Sequence, residues 1–141
     1  MSTEILVYIL TPLAAVVVVL TRLRLARGDA VAGQFQISER LLLLHTVAGT
    51  IALLLWVPFL AFPEDSFLGG SLVGIVALGF FWLTVMAGLL ILTRWLPTRG
   101  RHADDRATDG WSKGPGLSIL AHVGLLVGVS VFTYAYLTSA V

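Results

Sequence analysis

Residues 41–62 read LLLLHTVAGTIALLLWVPFLAF, and they decide the fold. The stretch has no charged residue, and it is long enough to cross a bilayer core, which takes about 20 residues of helix. Its single ionisable group is His45, set among leucines. An imidazole facing lipid hydrocarbon is unfavourable, so His45 must be satisfied inside the protein or bind something there.

Working outward, three more stretches have the same character: about 5–21, 67–92 and 117–137. The 141 residues are 57% hydrophobic and 12% charged, with a mean hydropathy of +0.94. Soluble domains carry about 25% charged residues, so the composition specifies an integral membrane protein surrounded by lipid. The expected fold is all-α, a four-transmembrane-helix bundle forming one integral membrane domain over residues 1–141. Pro12 and Pro58 fall inside spans, where neighbouring helices tolerate a kink. Cysteine is absent, which excludes disulfides, thiolate metal sites, iron–sulfur clusters and covalent c-type haem.

Charge placement gives the orientation. Arg22, Arg24, Arg27 and Arg40 flank the first connection, and Arg94, Arg99, Arg101, Arg106 and Lys113 flank the third. Those nine are all the Lys and Arg in the chain, whereas the second connection, FPEDSF, carries only Glu64 and Asp65. The positive-inside rule makes the two basic loops cytoplasmic and the bundle N-out/C-out. The first span has its arginines after the apolar run, the reverse of a signal peptide, and reads as an uncleaved helix. The long cytoplasmic loop, about 96–115, is rich in Gly, Asp and Arg and reads as solvated. Arginine outnumbers lysine eight to one, a bias of GC-rich bacterial chains, so the expected location is a bacterial plasma (inner) membrane. Topology accounts for the basic loops, and no nucleic-acid partner is expected.

All eight carboxylates lie at span ends or in loops, so an intramembrane carboxylate relay of the kind transporters use is missing. The exceptions to an apolar interior are His45 and His122, the latter within LSILAHVGLLVG. The second and fourth spans run in the same direction. His45 is five residues past Arg40, roughly 7–8 Å along a helix axis, and His122 is seven past Pro115, roughly 10 Å. The two imidazoles therefore sit at nearly one depth in the cytoplasmic half, on helices that are diagonal neighbours in a bundle. Such a pair is suited to hold an iron porphyrin edge-on, one imidazole on each face. Gly49, after Ala48 on the His45 face, and Gly124 with Gly128 after His122 would leave room for the ring. Arg40, Arg94, Arg99 and Lys113 are on the side where propionates would want cations. Thr46 or Ser118 are candidates to orient an imidazole.

With LLLLHTVAGTIALLLW and LSILAHVGLLVGVSVF in view, the chain resembles the four-helix membrane b-type cytochromes, including the cytochrome b561-like proteins. That resemblance covers the four-span layout and the two histidine segments. It implies one haem b with His45 and His122 as axial ligands. Cytochrome b561-type proteins use two histidine pairs for two haems, and this chain departs from them with one pair. A single haem cannot carry electrons across the bilayer, so the resemblance implies a further redox partner, quinone or another subunit of a respiratory complex.

The rival expectation is a haem-free accessory or assembly subunit whose histidines donate hydrogen bonds between helices, the usual role of a lone intramembrane histidine. A bare transition metal would be short of ligands with two imidazoles alone. His102 reads as a solvated loop residue. Trp95 and Trp111 read as interfacial anchors, and Gly69, Gly70, Gly74 and Gly79 as close-packing positions.

Overall fold

A computed structural model describes residues 2–26, 38–95 and 116–141, except for the side chains of 20–26, 94–95 and 116–118. The described chain is all-helical, with four helices and no strand: α1 (Thr3–Ala26), α2 (Glu39–Ala61), α3 (Ser71–Trp95) and α4 (Gly116–Leu137). Three of them, α2 to α4, are long and apolar enough to cross a membrane over Glu39–Ala61, Ser71–Thr93 and Ile119–Leu137. Within α1 the described apolar stretch, Thr3–Val19, is shorter. The long loop expected at 96–115 lies outside the described residues.

Local chemistry sets the ends. Glu39 in the first turn of α2 complements the positive end of the helix dipole. Leu41 and Leu42 donate to the Ser38 carbonyl, so the helix starts without a side-chain cap. The third helix begins at Ser71, four residues later than hydropathy suggests, because Phe67 and Leu68 belong to a turn. Ser66 Oγ donates to the Pro63 carbonyl at 2.6 Å and accepts from the Gly69 N–H at 3.0 Å. A Cβ at Gly69 would collide with the Phe62 and Pro63 carbonyl oxygens, so only glycine closes this turn. At the other end of the chain, Ser139 takes a positive φ of 50°. Ala140 N–H then donates to the Ala135 carbonyl and Ser139 N–H to that of Tyr136, which terminates α4 in a Schellman arrangement.

Each helix packs on two others: α2 most extensively on α3, then α3 on α4, α4 on α1, and α1 on α2. Among the described residues, α2 and α4 make no direct backbone approach, nor do α1 and α3. The shared interior is therefore reached by side chains alone. Trp56, Phe81, Phe132, Val7, Val129 and Thr84 are fully buried there. Trp56 stacks on Phe132 at 5.0 Å and meets Phe81 edge-on at 6.1 Å. Lipid tails are as apolar as these side chains, so dispersion and interhelical hydrogen bonds hold the helices together. Two such bonds share one design. Trp56 Nε1 donates to Thr11 Oγ1 at 3.2 Å, and Trp82 Nε1 donates to Thr133 Oγ1 at 3.1 Å. Each threonine in turn donates to the carbonyl four residues back, Val7 and Val129 respectively. The central pair α2–α3 thus reaches out to α1 through one indole and to α4 through the other. Outward faces carry Leu43, Leu54, Leu72, Met86, Leu120 and Val127, all exposed, the pattern expected against lipid.

Candidate functional site

The buried residues of α2 are His45, Ala48, Gly49, Ala52, Trp56 and Phe59. Their spacing of three and four is one helical stripe, so His45 points to the same interior as Trp56 and Phe59. Position 45 is six residues after Glu39, and position 122 is six after Gly116. On parallel helices that start at one level, each imidazole lies about 9 Å from its helix start at 1.5 Å per residue. His45 is buried and His122 half-buried. Their ring centroids are 6.3 Å apart with planes inclined by 43°. The α2 and α4 helices, which have no close backbone approach, meet here through the histidine pair, as they do further in through Trp56 on Phe132.

Gly88 of α3 completes the site. A Cβ placed there would be 3.2 Å from His45 Nε2 and 3.2 Å from His122 Nε2, and 2.8 Å from His122 Cδ2. The side of Gly88 where a Cβ would stand thus faces Nε2 of His45 and the Cδ2–Nε2 edge of His122. One turn earlier on α3, Thr84 is fully buried and donates through Oγ1 to the Phe80 carbonyl. Its methyl is 3.3 Å from the position of a Cβ on Gly49, and Val18 of α1 is 3.4 Å from it. Gly49 thus serves the α1–α2–α3 contact one turn beyond the histidines. Gly124 is exposed, and nothing lies within 4 Å of a Cβ built there or on Gly128. The glycine that meets the imidazoles is Gly88, which hydropathy and one-turn spacing do not single out.

Of the other expected participants, Thr46 uses its hydroxyl proton on the Leu42 carbonyl of its own helix, 2.9 Å away. Arg40 is exposed on the first turn of α2, at the end of the assembly where the histidines lie. Arg94 belongs to α3 near the same end, with its side chain outside the described part. The side chain of Ser118, and Arg99, His102, Trp111 and Lys113 altogether, lie outside the described residues. Glu64 and Asp65 are exposed on the α2–α3 turn, at the far end from the pair. Among the described residues no three His, Cys, Asp or Glu side chains gather as a metal-binding group.

Two imidazoles with ring centroids 6.3 Å apart would be suited to hold a haem iron, which would supply one-electron exchange. Space between the rings is bounded by Gly88, whose Cβ position is 3.2 Å from both Nε2 atoms. A porphyrin held by both imidazoles would need α3 to stand further out there. Imidazoles packed directly on Gly88 need no such movement.

No family model, curated protein or solved structure matches the chain.

Proposed function

We propose that the chain is a four-transmembrane-helix bundle, N-out and C-out, that binds one haem b between His45 and His122. It acts as an electron-transfer subunit in a bacterial inner membrane, exchanging electrons with a quinone or another subunit of a respiratory complex. The observation that carries this reading is the convergence of the two intramembrane histidines, from helices with no close backbone approach, at a 6.3 Å ring separation. A haem held by both imidazoles would supply one-electron exchange rather than oxygen binding.

The chain's own residues have separate tasks in this reading. His45 and His122 would hold the iron through Nε2. Gly88 offers a bare backbone where any side chain would meet both nitrogens. Ala48 and Ala52, both fully buried, continue the His45 stripe inward to the aromatic core. Arg40, on the first turn of α2 at that end, would supply a cation for propionates, and Arg94 and Lys113 are further candidates by sequence.

A test is a dithionite-reduced minus oxidised spectrum of the protein purified in mild detergent from haem-replete cells. A b-type band pair is expected, lost or altered in H45A and in H122A. A colourless, well-folded preparation would overturn the cytochrome reading.

That outcome would favour a second reading, a haem-free accessory subunit of a membrane complex in which the histidines are packing residues. The position of Gly88 against both rings supports it, since the imidazoles already have a surface to rest on. In that case H45A and H122A lower thermal stability and change no spectrum.

A further inference from the structure

The fourth helix is packed unevenly along its length. Between Ile119 and Val127 no residue is buried: Leu120, Val123, Gly124 and Val127 are exposed, and the others, His122 among them, are half-buried. From Gly128 onward the same helix buries Gly128, Val129, Phe132 and Ala135. Two interhelical hydrogen bonds hold that outer half. Trp82 Nε1 donates to Thr133 Oγ1 at 3.1 Å, and the Tyr136 hydroxyl donates to the Ser71 carbonyl at 2.9 Å.

The central helices differ at the level of the histidines. There α2 buries His45, Ala48 and Gly49, and α3 buries Thr84, Val85 and Gly88. The α2–α3 pair is thus closed over its inner half as well as its outer half, whereas α4 is anchored at its outer half. His45 belongs to the closed part, and His122 belongs to the loosely packed part.

Gly128 stands at the boundary. Nothing lies within 4 Å of a Cβ built on it, so no neighbouring side chain requires glycine there. Glycine does supply backbone freedom, and it is among the places where helices bend. His122 is six residues before Gly128, so it lies about 9 Å along the axis and a bend of about 20° displaces the imidazole by roughly 3 Å. Such a bend keeps the backbone hydrogen bonds within the helix, as hydrocarbon requires. It also leaves the Trp82–Thr133 and Tyr136–Ser71 bonds in place, because both lie beyond the pivot.

We infer that residues 119–127 of α4 form a hinged arm, pivoting at Gly128, that carries His122 toward and away from a fixed His45. The pair is therefore unequal: His45 is the permanent half of the site and His122 the detachable half. The arm stands on packing alone, whereas the group it closes on, an iron porphyrin, rests on the haem reading above. With the arm swung out, His45 still offers Nε2 beside Gly88, and the vacated side accepts a small exogenous base such as imidazole.

The chain has no cysteine, so paired spin labels can be placed without a background. Leu43 and Leu120 each precede their histidine by two residues, Val57 and Tyr134 each follow by 12, and all four are exposed. L43C/L120C therefore reports the inner level and V57C/Y134C the outer one. In whole, haem-free protein in lipid nanodiscs, pulsed dipolar spectroscopy should give the inner pair a spread wider by roughly 3 Å, the displacement of a 20° bend. G128A added to the inner pair should narrow it, since its methyl meets nothing and alanine stiffens the helix. Equal widths for the two pairs, or an inner pair that G128A leaves unchanged, would overturn the arm. Haem content is then compared in H45A and H122A from haem-replete cells. H122A should keep its haem and turn low-spin with added imidazole, whereas H45A should lose it. Equal retention or equal loss overturns the division into fixed and detachable ligands. A wild type without haem overturns the haem reading instead, and the spin-label comparison still decides the arm.

Discussion

Replacing Gly88 by alanine probes the site at a position that faces both imidazoles. The added methyl would lie 2.8 Å from His122 Cδ2 and 3.2 Å from the Nε2 atoms of both histidines. Carbon atoms are comfortable at about 3.5–4.0 Å, so the His122 ring must retreat by roughly 0.7–1.2 Å. Overpacking of this size costs about 1–3 kcal/mol. The better helix propensity of alanine offsets up to about 1 kcal/mol of that, leaving a modest net loss of stability. The spectroscopic effect should be much larger than the thermal one. A metal–nitrogen bond tolerates only a few tenths of an ångström, and in the haem-loaded protein the same methyl presses on the macrocycle. G88A should therefore lower the haem-to-protein ratio or convert a low-spin spectrum to a high-spin one, with a melting temperature in detergent only slightly reduced. The control is G124A, whose methyl meets nothing within 4 Å and should leave both readings at wild type. A G88A protein with unaltered haem content, spin state and melting temperature would refute the placement of Gly88 against the pair.

Three further expectations can be checked with the same material. G74A should lower the melting temperature by an amount equivalent to about 1–3 kcal/mol without changing haem content, because its methyl meets Phe59 and Tyr136, far from the histidines. W56F keeps the aromatic volume but removes the N–H given to Thr11, and a loss of about 0.6–1.7 kcal/mol should appear in reversible unfolding in mixed micelles. A chain without native cysteine permits clean labelling. In intact cells D65C should react with an impermeant maleimide and R101C should not, and the opposite pattern would reverse the proposed orientation.

The histidine pair was legible because its signal is one-dimensional. Two imidazoles in apolar runs, equally far from the helix starts, fix depth with no knowledge of packing. Facing is harder to read. Gly49 and Gly124 stand close to the histidines in sequence, yet Gly49 meets Thr84 and Val18, and Gly124 has open space. One turn along a helix moves a residue by about 5.4 Å, and whether it faces the same neighbour depends on how that neighbour is rotated. Gly88 lies on a third helix, in VMAGLL, and nothing local distinguishes it from Gly79, which is exposed. The start of α3 was obscured for another reason. Phe67 and Leu68 are as apolar as a span, and only the Ser66 and Gly69 hydrogen-bonding pattern reveals a turn.

The indole-to-threonine bonds bear on how well the imidazoles are aligned. Thr133 is 11 residues beyond His122 on α4, about three turns and roughly 16 Å away. A slip of α4 by one residue would raise His122 by about 1.5 Å and swing it by about 100°. It would also carry the Thr133 hydroxyl out of reach of the Trp82 N–H, which a helix in hydrocarbon cannot replace with water. The bond between Trp82 and Thr133 therefore works as a vernier: a contact deep in the apolar half sets the height and compass bearing of a ring in the other.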